Sequence, residues 1–211
     1  MPAWRVTMDM TCMHPADTMQ TTVYTIGHSS HPIDRFVWLL RHNDIAVVVD
    51  VRSIPASRHN PQYNRDTLRR SLGAAGITYI HMGEALGAMT DDPTLMENGR
   101  VSFARIVASR PFIVALSRLT ETAKKHRIAM MCAEKDPLSC HRTILVSHQL
   151  EKAGGTVEHI LENGSLEHHD STMTRLFKAT KTPEEDMFLS REDLIGQAVA
   201  IWEEKMLGRR N

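Results

Sequence analysis

The sequence predicts an α/β protein with a single doubly wound, mostly parallel sheet, helices on both faces and a C-terminal helical appendage. Three observations carry this. Short apolar runs alternate with segments of helical period from residue 23 to residue 160. Residues 46–51, AVVVDV, are a nearly unbroken β-branched run, the pattern of a strand covered on both faces. Residues that carry chemistry recur where such runs end, and in parallel sheets those ends share one edge.

Each element follows from local pattern. Residues 23–29, VYTIGHS, read as the first strand. Ile33, Phe36, Val37 and Leu40 repeat at helical spacing, and Asp44 closes that helix's exit. After strand 46–51 and a polar loop, Asn64 or Asp66 opens a helix that Gly76 ends. ITYIHM, residues 77–82, is the third strand, and Asp91, Asp92 and Pro93 mark a loop. Helices are expected over 101–110 and 111–126, with Pro111 in a first turn and Ile113, Leu116, Leu119 and Ala123 as one stripe. Residues 128–132, IAMMC, form the fourth strand, and Asp136 and Pro137 suit the cap and first turn of a helix that ends at Gly154 and Gly155. TVEHI, residues 156–160, is the last strand. Ser190 and Asp193 make a capping-box-like start to one C-terminal helix carrying Leu194, Ile195, Ala198, Trp202 and Met206. Three segments result: a weakly ordered leader over 1–20, in which Met19 is an alternative start, an α/β domain over 21–165, and an extension over 166–211.

Composition narrows the function classes. The 211 residues are 42% hydrophobic and 24% charged, enough apolar material for a full core and too little bias for a disordered or fibrous chain. Lys plus Arg equals Asp plus Glu at 25 each, so no global field points to nucleic acid or an anionic membrane. Cys12, Cys132 and Cys140 are an odd number, and no signal core is visible, so a reducing cytoplasm is the expected compartment. No apolar run approaches the roughly 18–20 residues of a membrane helix. A homo-oligomer is compatible with this composition.

At the shared carboxyl edge the pattern gathers His28 and Ser29, then Asp50, Arg52 and Ser53, then His81, then Cys132 and Glu134, followed by Cys140, His141 and Arg142. Arg52 and Arg142 suit a small anion that accepts bidentate hydrogen bonds, unless Arg52 is spent on Asp50 or Glu134. Glu134 is the candidate general acid or base, with His28 and His141 as partners. Cys140, beside His141 and Arg142, is a candidate low-pKa thiol, although a cysteine at that position often packs on the sheet instead. The C-x5-R loop of phosphatases and rhodaneses is absent. Arg52, Arg58, Arg65, Arg69 and Arg70 against Asp66 form a local basic patch that could track a phosphate backbone, with Tyr63 and His59 as stacking rings, or be a solvated helix face. His81 reads as core. Cys132, Cys140, His141 and His28 are acceptable zinc ligands by type, but the spacing lacks short-spaced pairs, and Cys140 and His141 should point apart on a helix, so no metal is expected. No cofactor is identified. Residues 167–170, EHHD, read as a solvated loop.

The motifs TIGHS (25–29), DVRSIPAS (50–57), ITYIHMGEALGA (77–88), MCAEKDPLSCHR (131–142) and VEHI (157–160) together resemble the bacterial and archaeal family called domain of unknown function 488. The resemblance covers residues 23–160 and extends to Leu176 and Phe177. It implies a compact α/β fold and a pocket at Gly27, His28, Ser29, Asp50, Arg52, Pro55, Ser57, Leu86, Gly87, Cys132, Glu134, Cys140, His141 and Arg142. The leading expectation is an enzyme, a hydrolase or transferase, acting on a small phosphate-bearing or nucleotide-like anion. His28, Ser29, Arg52, Ser57 and Arg142 would bind the substrate, and Glu134, His141 and Cys140 would do the chemistry. The alternative is a non-catalytic nucleotide or nucleic-acid binding module that signals through its C-terminal helix.

Overall fold

A computed structural model describes residues 21–208. The leader read over 1–20 lies outside them. In chain order the elements are β1 (Thr22–Gly27), α1 (Ile33–His42), β2 (Val47–Asp50), α2 (Arg65–Ala74), β3 (Thr78–His81), α3 (Gly83–Leu86), β4 (Met96–Glu97), β5 (Arg100–Val101), α4 (Phe103–Ala108), α5 (Arg110–Ala123) and β6 (Ile128–Cys132). A π-helical segment (Arg142–Ser147) then runs into α6 (His148–Lys152), followed by β7 (Thr156–Ile160), β8 (Leu166–His168), α7 (His169–Thr180) and α8 (Arg191–Gly208).

The main sheet has the order β3-β2-β6-β1-β7-β8, parallel throughout except for β8 at the edge. The strand period of two sorts its side chains into two cores. Val47, Val49, Ile128 and Met130 face Phe112 and Leu119 of α5 together with Ile144, Leu145, Leu176 and Trp202. Tyr24, Ile26, Val48, Ala129 and Met131 face Phe36, Leu39 and Leu40 of α1 and Leu68 and Leu72 of α2. Each such buried aliphatic or aromatic side chain contributes about 1.5–3 kcal/mol relative to exposure. Helices on both faces of a mostly parallel sheet are the doubly wound architecture that the alternating pattern predicts.

Connectivity opens the site. From β1 the chain crosses over one face, through α1, to β2; from β6 it crosses over the other face, through α6, to β7. Because β1 and β6 are neighbours, the two connections leave in opposite directions, and a crevice forms at their carboxyl ends.

Several local expectations change. The helix read from Pro137 is broken: Pro137–Ser139 is one 3-10 turn capped by Asp136, whose carboxylate accepts from Leu138 N at 3.0 Å, and Cys140 is extended at φ −128° and ψ 141° before helical geometry begins at His141. Ser109 divides the two helices of the 101–126 stretch and caps the second, accepting from Phe112 N at 3.3 Å. A small hairpin, β4–β5, turns at Asn98 and Gly99, both at positive φ. The C-terminal stretch holds two helices and a strand where one helix was expected. In α7, Met173, Leu176 and Phe177 are buried at helical spacing, and the EHHD residues run from β8 into α7, with His169 buried. In α8, Leu194, Ala198, Trp202 and Met206 form a buried four-residue ladder. Trp202 Nε1 donates to Leu138 O at 2.7 Å, so this helix steadies the turn before Cys140.

Two glycines with different surroundings give a test of packing. A Cβ on Gly27 would lie 1.9 Å from Glu134 O, whereas one on Gly73 in α2 would meet nothing within 4 Å. Gly27→Ala is therefore expected to lower the unfolding free energy by several kcal/mol, and Gly73→Ala to raise it by about 0.5–1 kcal/mol. Urea denaturation of both variants checks this; a Gly27→Ala protein as stable as the parent would contradict the close approach.

Candidate functional site

Hydrogen bonds beyond the strand ends keep the edge in register. His28 N donates to Cys132 O and Ser29 N to Ala133 O, both at 2.9 Å, Val51 N to Met131 O at 3.1 Å, and Met82 N to Asp50 O at 2.9 Å. His28, Cys132 and Arg52 are thereby brought side by side at a cavity of about 330 Å³. Ser29, Ser53, Ser57, Asn60, Glu134 and His141 add polar groups to its wall, and Ile54, Ala88 and Met89 add apolar ones. Ser29 sits at φ 48°, a conformation uncommon for a residue with a side chain and frequent at functional sites.

Arg52 is held from several sides. Its Nε and Nη2 bind Asp50 Oδ1 and Oδ2 at 2.9 and 2.7 Å, and Nη2 also donates to Tyr63 O at 2.8 Å. Tyr79 OH donates to the same Asp50 Oδ2 at 2.8 Å. Removing two charges from water is costly, and this bidentate geometry offsets that cost. The Asp50 partner weighed from the sequence is thus the one found. Nη1, 3.1 Å from His28 Nε2, is the one guanidinium nitrogen with no carboxylate or carbonyl. His28 stacks on Tyr63 at 4.0 Å, and its Nδ1 must donate to Ser29 O at 2.7 Å, so Nε2 is the acceptor for Arg52. Burial, above all, lowers the His28 pKa to about 4 and keeps the ring neutral. His81, expected in the core, is half-buried and meets Arg52 O at 2.9 Å through Nε2.

Arg142 departs from the expectation of a two-arginine clamp. It is fully buried and does not line the cavity. Nη1 donates to Glu134 O at 2.7 Å, Nη2 to Lys135 O at 3.3 Å and Nε to Thr25 Oγ1 at 3.4 Å. It therefore anchors the loop after β6 and turns the Glu134 side chain toward the cavity side, while its charge stays behind the wall.

In front of that loop four side chains converge. Glu134 Oε2 lies 3.0 Å from Cys132 Sγ and 3.1 Å from Cys140 Sγ, and His141 Nδ1 lies 3.6 and 3.9 Å from the same sulfurs. The expectation that Cys140 and His141 point apart assumed both on a helix. Extended geometry at Cys140, followed by the first helical residue, aims the two neighbouring side chains at one point instead. His141 Nε2 donates to Val51 O at 3.1 Å, which leaves Nδ1 facing the sulfurs. The sulfurs of Cys132 and Cys140 and a nitrogen of His141 all lie within 4.8 Å of one another, the set able to hold a metal ion. Burial raises the Cys140 thiol, but the hydrogen bond from Cys132 and the nearby Arg142 and His141 outweigh it and bring it well below its ordinary value. Cys132 is raised by that same hydrogen bond and by burial. Burial first, and then Cys140, raise Glu134. Burial would lower His141, and the Cys140 thiolate overcomes this and raises it.

The remaining sequence-marked residues are peripheral. Ser57 lines the cavity, and its hydroxyl accepts from Asn60 N at 3.0 Å, which shapes the loop. Arg58, Arg65, Arg69, Arg70 and His59 are exposed, and Tyr63 is buried under His28 with its hydroxyl on His31 O at 3.0 Å, so it is no free stacking ring. Ile54, Asn60 and Met89 line the cavity although nothing in their sequence context singled them out.

Fold and site together define a parallel α/β protein with thiol, carboxylate and imidazole groups gathered at the sheet's switch point. A family model, Domain of unknown function DUF488, matches residues 32–149, over half of the chain, and the protein belongs to that family. No curated protein and no solved structure matches it significantly. No helix among the described residues is long and apolar enough to cross a membrane.

Buried histidines should couple stability to pH. Behind Arg142, Thr25 Oγ1 bonds His159 Nδ1 at 2.7 Å, and His159 Nε2 bonds His169 Nδ1 at 3.1 Å. Burial lowers His159 well below its ordinary value and His169 to about 3. With His28 these groups stay neutral in the fold while the unfolded chain takes up protons below pH 6.5. Stability should therefore fall as pH drops from 7 to 5.5, by up to about 1.4 kcal/mol per pH unit for each histidine, with His141 working the other way. Urea midpoints across this range should decline, less steeply in His169→Gln. A slope unchanged by that substitution would remove His169 from the linkage.

Proposed function

We propose that this protein is an enzyme, a hydrolase or transferase in class, that acts on a small phosphate-bearing or nucleotide-like anion bound in the cavity. The observation that carries the reading is Glu134: a carboxylate whose pKa burial raises, within about 3 Å of two sulfurs and on the wall of a cavity that Arg52 also lines. A carboxyl so raised holds its proton to higher pH than an exposed one, and can deliver it to a leaving group or take one from an attacking hydroxyl or water. Arg52 Nη1 and the hydroxyls of Ser29 and Ser57 supply donors for the anion, and His28, neutral and fixed, keeps Arg52 aimed. Arg142 contributes from behind by holding the loop that bears Glu134. His141 and Cys140 complete the reacting cluster, and Cys140 adds to burial in raising the proton affinity of the carboxylate.

A second reading, a nucleic-acid binding module, draws on the exposed Arg58, Arg65, Arg69 and Arg70. It requires affinity that falls steeply with salt and weakens in Arg58→Ala or Arg65→Ala.

Incubation with a panel of nucleotides and sugar phosphates, read by mass spectrometry, is expected to reveal turnover that Glu134→Gln slows by about 10²-fold or more without altering the circular dichroism spectrum. Equal rates in the variant would take the proton role away from Glu134. Absence of both binding and turnover across the whole panel would overturn the anionic substrate.

A further inference from the structure

We propose that Cys132 Sγ, Cys140 Sγ and His141 Nδ1 bind one divalent ion of the zinc class, with Glu134 Oε2 at the displaceable fourth position. The proposal deepens the enzyme reading by assigning a group at its cavity floor, and rests on that reading only for the location of the substrate.

Geometry supports the three strong ligands. Metal–sulfur and metal–nitrogen bonds of about 2.3 and 2.0 Å, at tetrahedral angles, require sulfur–nitrogen edges of about 3.6 Å. The two edges here are 3.6 and 3.9 Å, within tenths of an ångström of that value, and all three ligand atoms lie within 4.8 Å of one another. Two sulfurs and an imidazole favour zinc-like ions over magnesium or calcium, which prefer oxygen. The ligands also sit on rigid supports. Cys132 ends a central strand, His141 begins a helical segment, and Cys140 is fully buried between them.

The outer contacts are those a metal histidine requires. His141 Nε2 donates to Val51 O, which fixes the tautomer that leaves Nδ1 with its lone pair toward the sulfurs. Arg142 stands behind the same loop. Two thiolates and a carboxylate around a divalent ion carry one net negative charge, which that guanidinium offsets.

Glu134 differs from the other three. At 3.0 and 3.1 Å its oxygen is nearer both sulfurs than a tetrahedral edge of about 3.5 Å allows, so an entering ion pushes it back toward the cavity. A ligand oxygen could then take its position, and the released carboxylate would be free to move a proton. Three protein ligands with one exchangeable position is the arrangement of catalytic rather than structural zinc.

The test uses the full chain with its thiols reduced, in a Cys12→Ser background so that only Cys132 and Cys140 remain. After chelator treatment, titration with Co²⁺ should saturate at about one ion per chain, with a thiolate-to-cobalt charge-transfer band and the visible bands of a tetrahedral site, all displaced by Zn²⁺. Cys132→Ser and His141→Gln should lose these bands, and Glu134→Gln should keep them. Should the ligand variants unfold, X-ray absorption of the zinc-loaded parent decides instead, with about two sulfurs per ion at about 2.3 Å expected. No band in the reduced parent, a band that survives Cys132→Ser, or an ion bound without sulfur overturns the proposal. A bound ion with no turnover on any anion would instead defeat the substrate reading and leave the site standing.

Discussion

The loop that follows β6 crosses the end of β1 at contact distance, and the site depends on that crossing. Gly27 leaves the space into which Glu134 O fits, and Arg142 reaches from the next helical segment to bind the carbonyls of Glu134 and Lys135. One side supplies an absent Cβ and the other a buried guanidinium. The backbone is thus fixed at the point where Cys132, Glu134 and, after one turn, Cys140 and His141 must meet. A loop free to lift away would carry the carboxylate off the two sulfurs and uncover Arg142, whose charge is fully buried.

A second network holds the opposite wall. Asp50, at the end of β2, fixes Arg52 and accepts from Tyr79, while His28 joins Arg52 to the ring of Tyr63. One link between the two networks is Val51, which lies between Asp50 and Arg52 and takes the Nε2 proton of His141 on its carbonyl. The direction of the imidazole and the direction of the guanidinium are therefore set by the same two peptide units at the end of one strand. Preorganisation of this kind limits the movement left to groups that must meet a ligand together.

Much of this was legible in the residues. AVVVDV announced a central strand because β-branched runs without alternation suit burial on both faces, and once the strands were assigned, their shared edge collected His28, Arg52, Cys132 and Glu134 without further assumption. What the sequence could not convey were choices made by tertiary contact. Arg52 and Arg142 look alike as residues that follow a strand or open a helix, yet a carboxylate two positions away claims the first and two loop carbonyls claim the second. The dipeptide of Cys140 and His141 misled for a local reason: helical geometry was assumed from Pro137, whereas the chain pauses in extended form at Cys140. In α7, the buried Met173, Leu176 and Phe177 were masked by polar neighbours, since their partners are distant and periodicity there is short.

The wide turn after His141 reconciles two fixed ends. A π-helical segment accommodates one more residue per turn than its surroundings expect, and here Ser147 Oγ closes it by donating to Arg142 O five positions back, at 2.8 Å. Such a turn fits an extra residue into a helical stretch whose two ends are both committed. One end is committed to the cluster at the sheet edge, and the other to the strand that returns beside β1. The surplus residue is taken up as girth, so the core contacts of α6 and the orientation of His141 and Arg142 hold together in one continuous helical stretch.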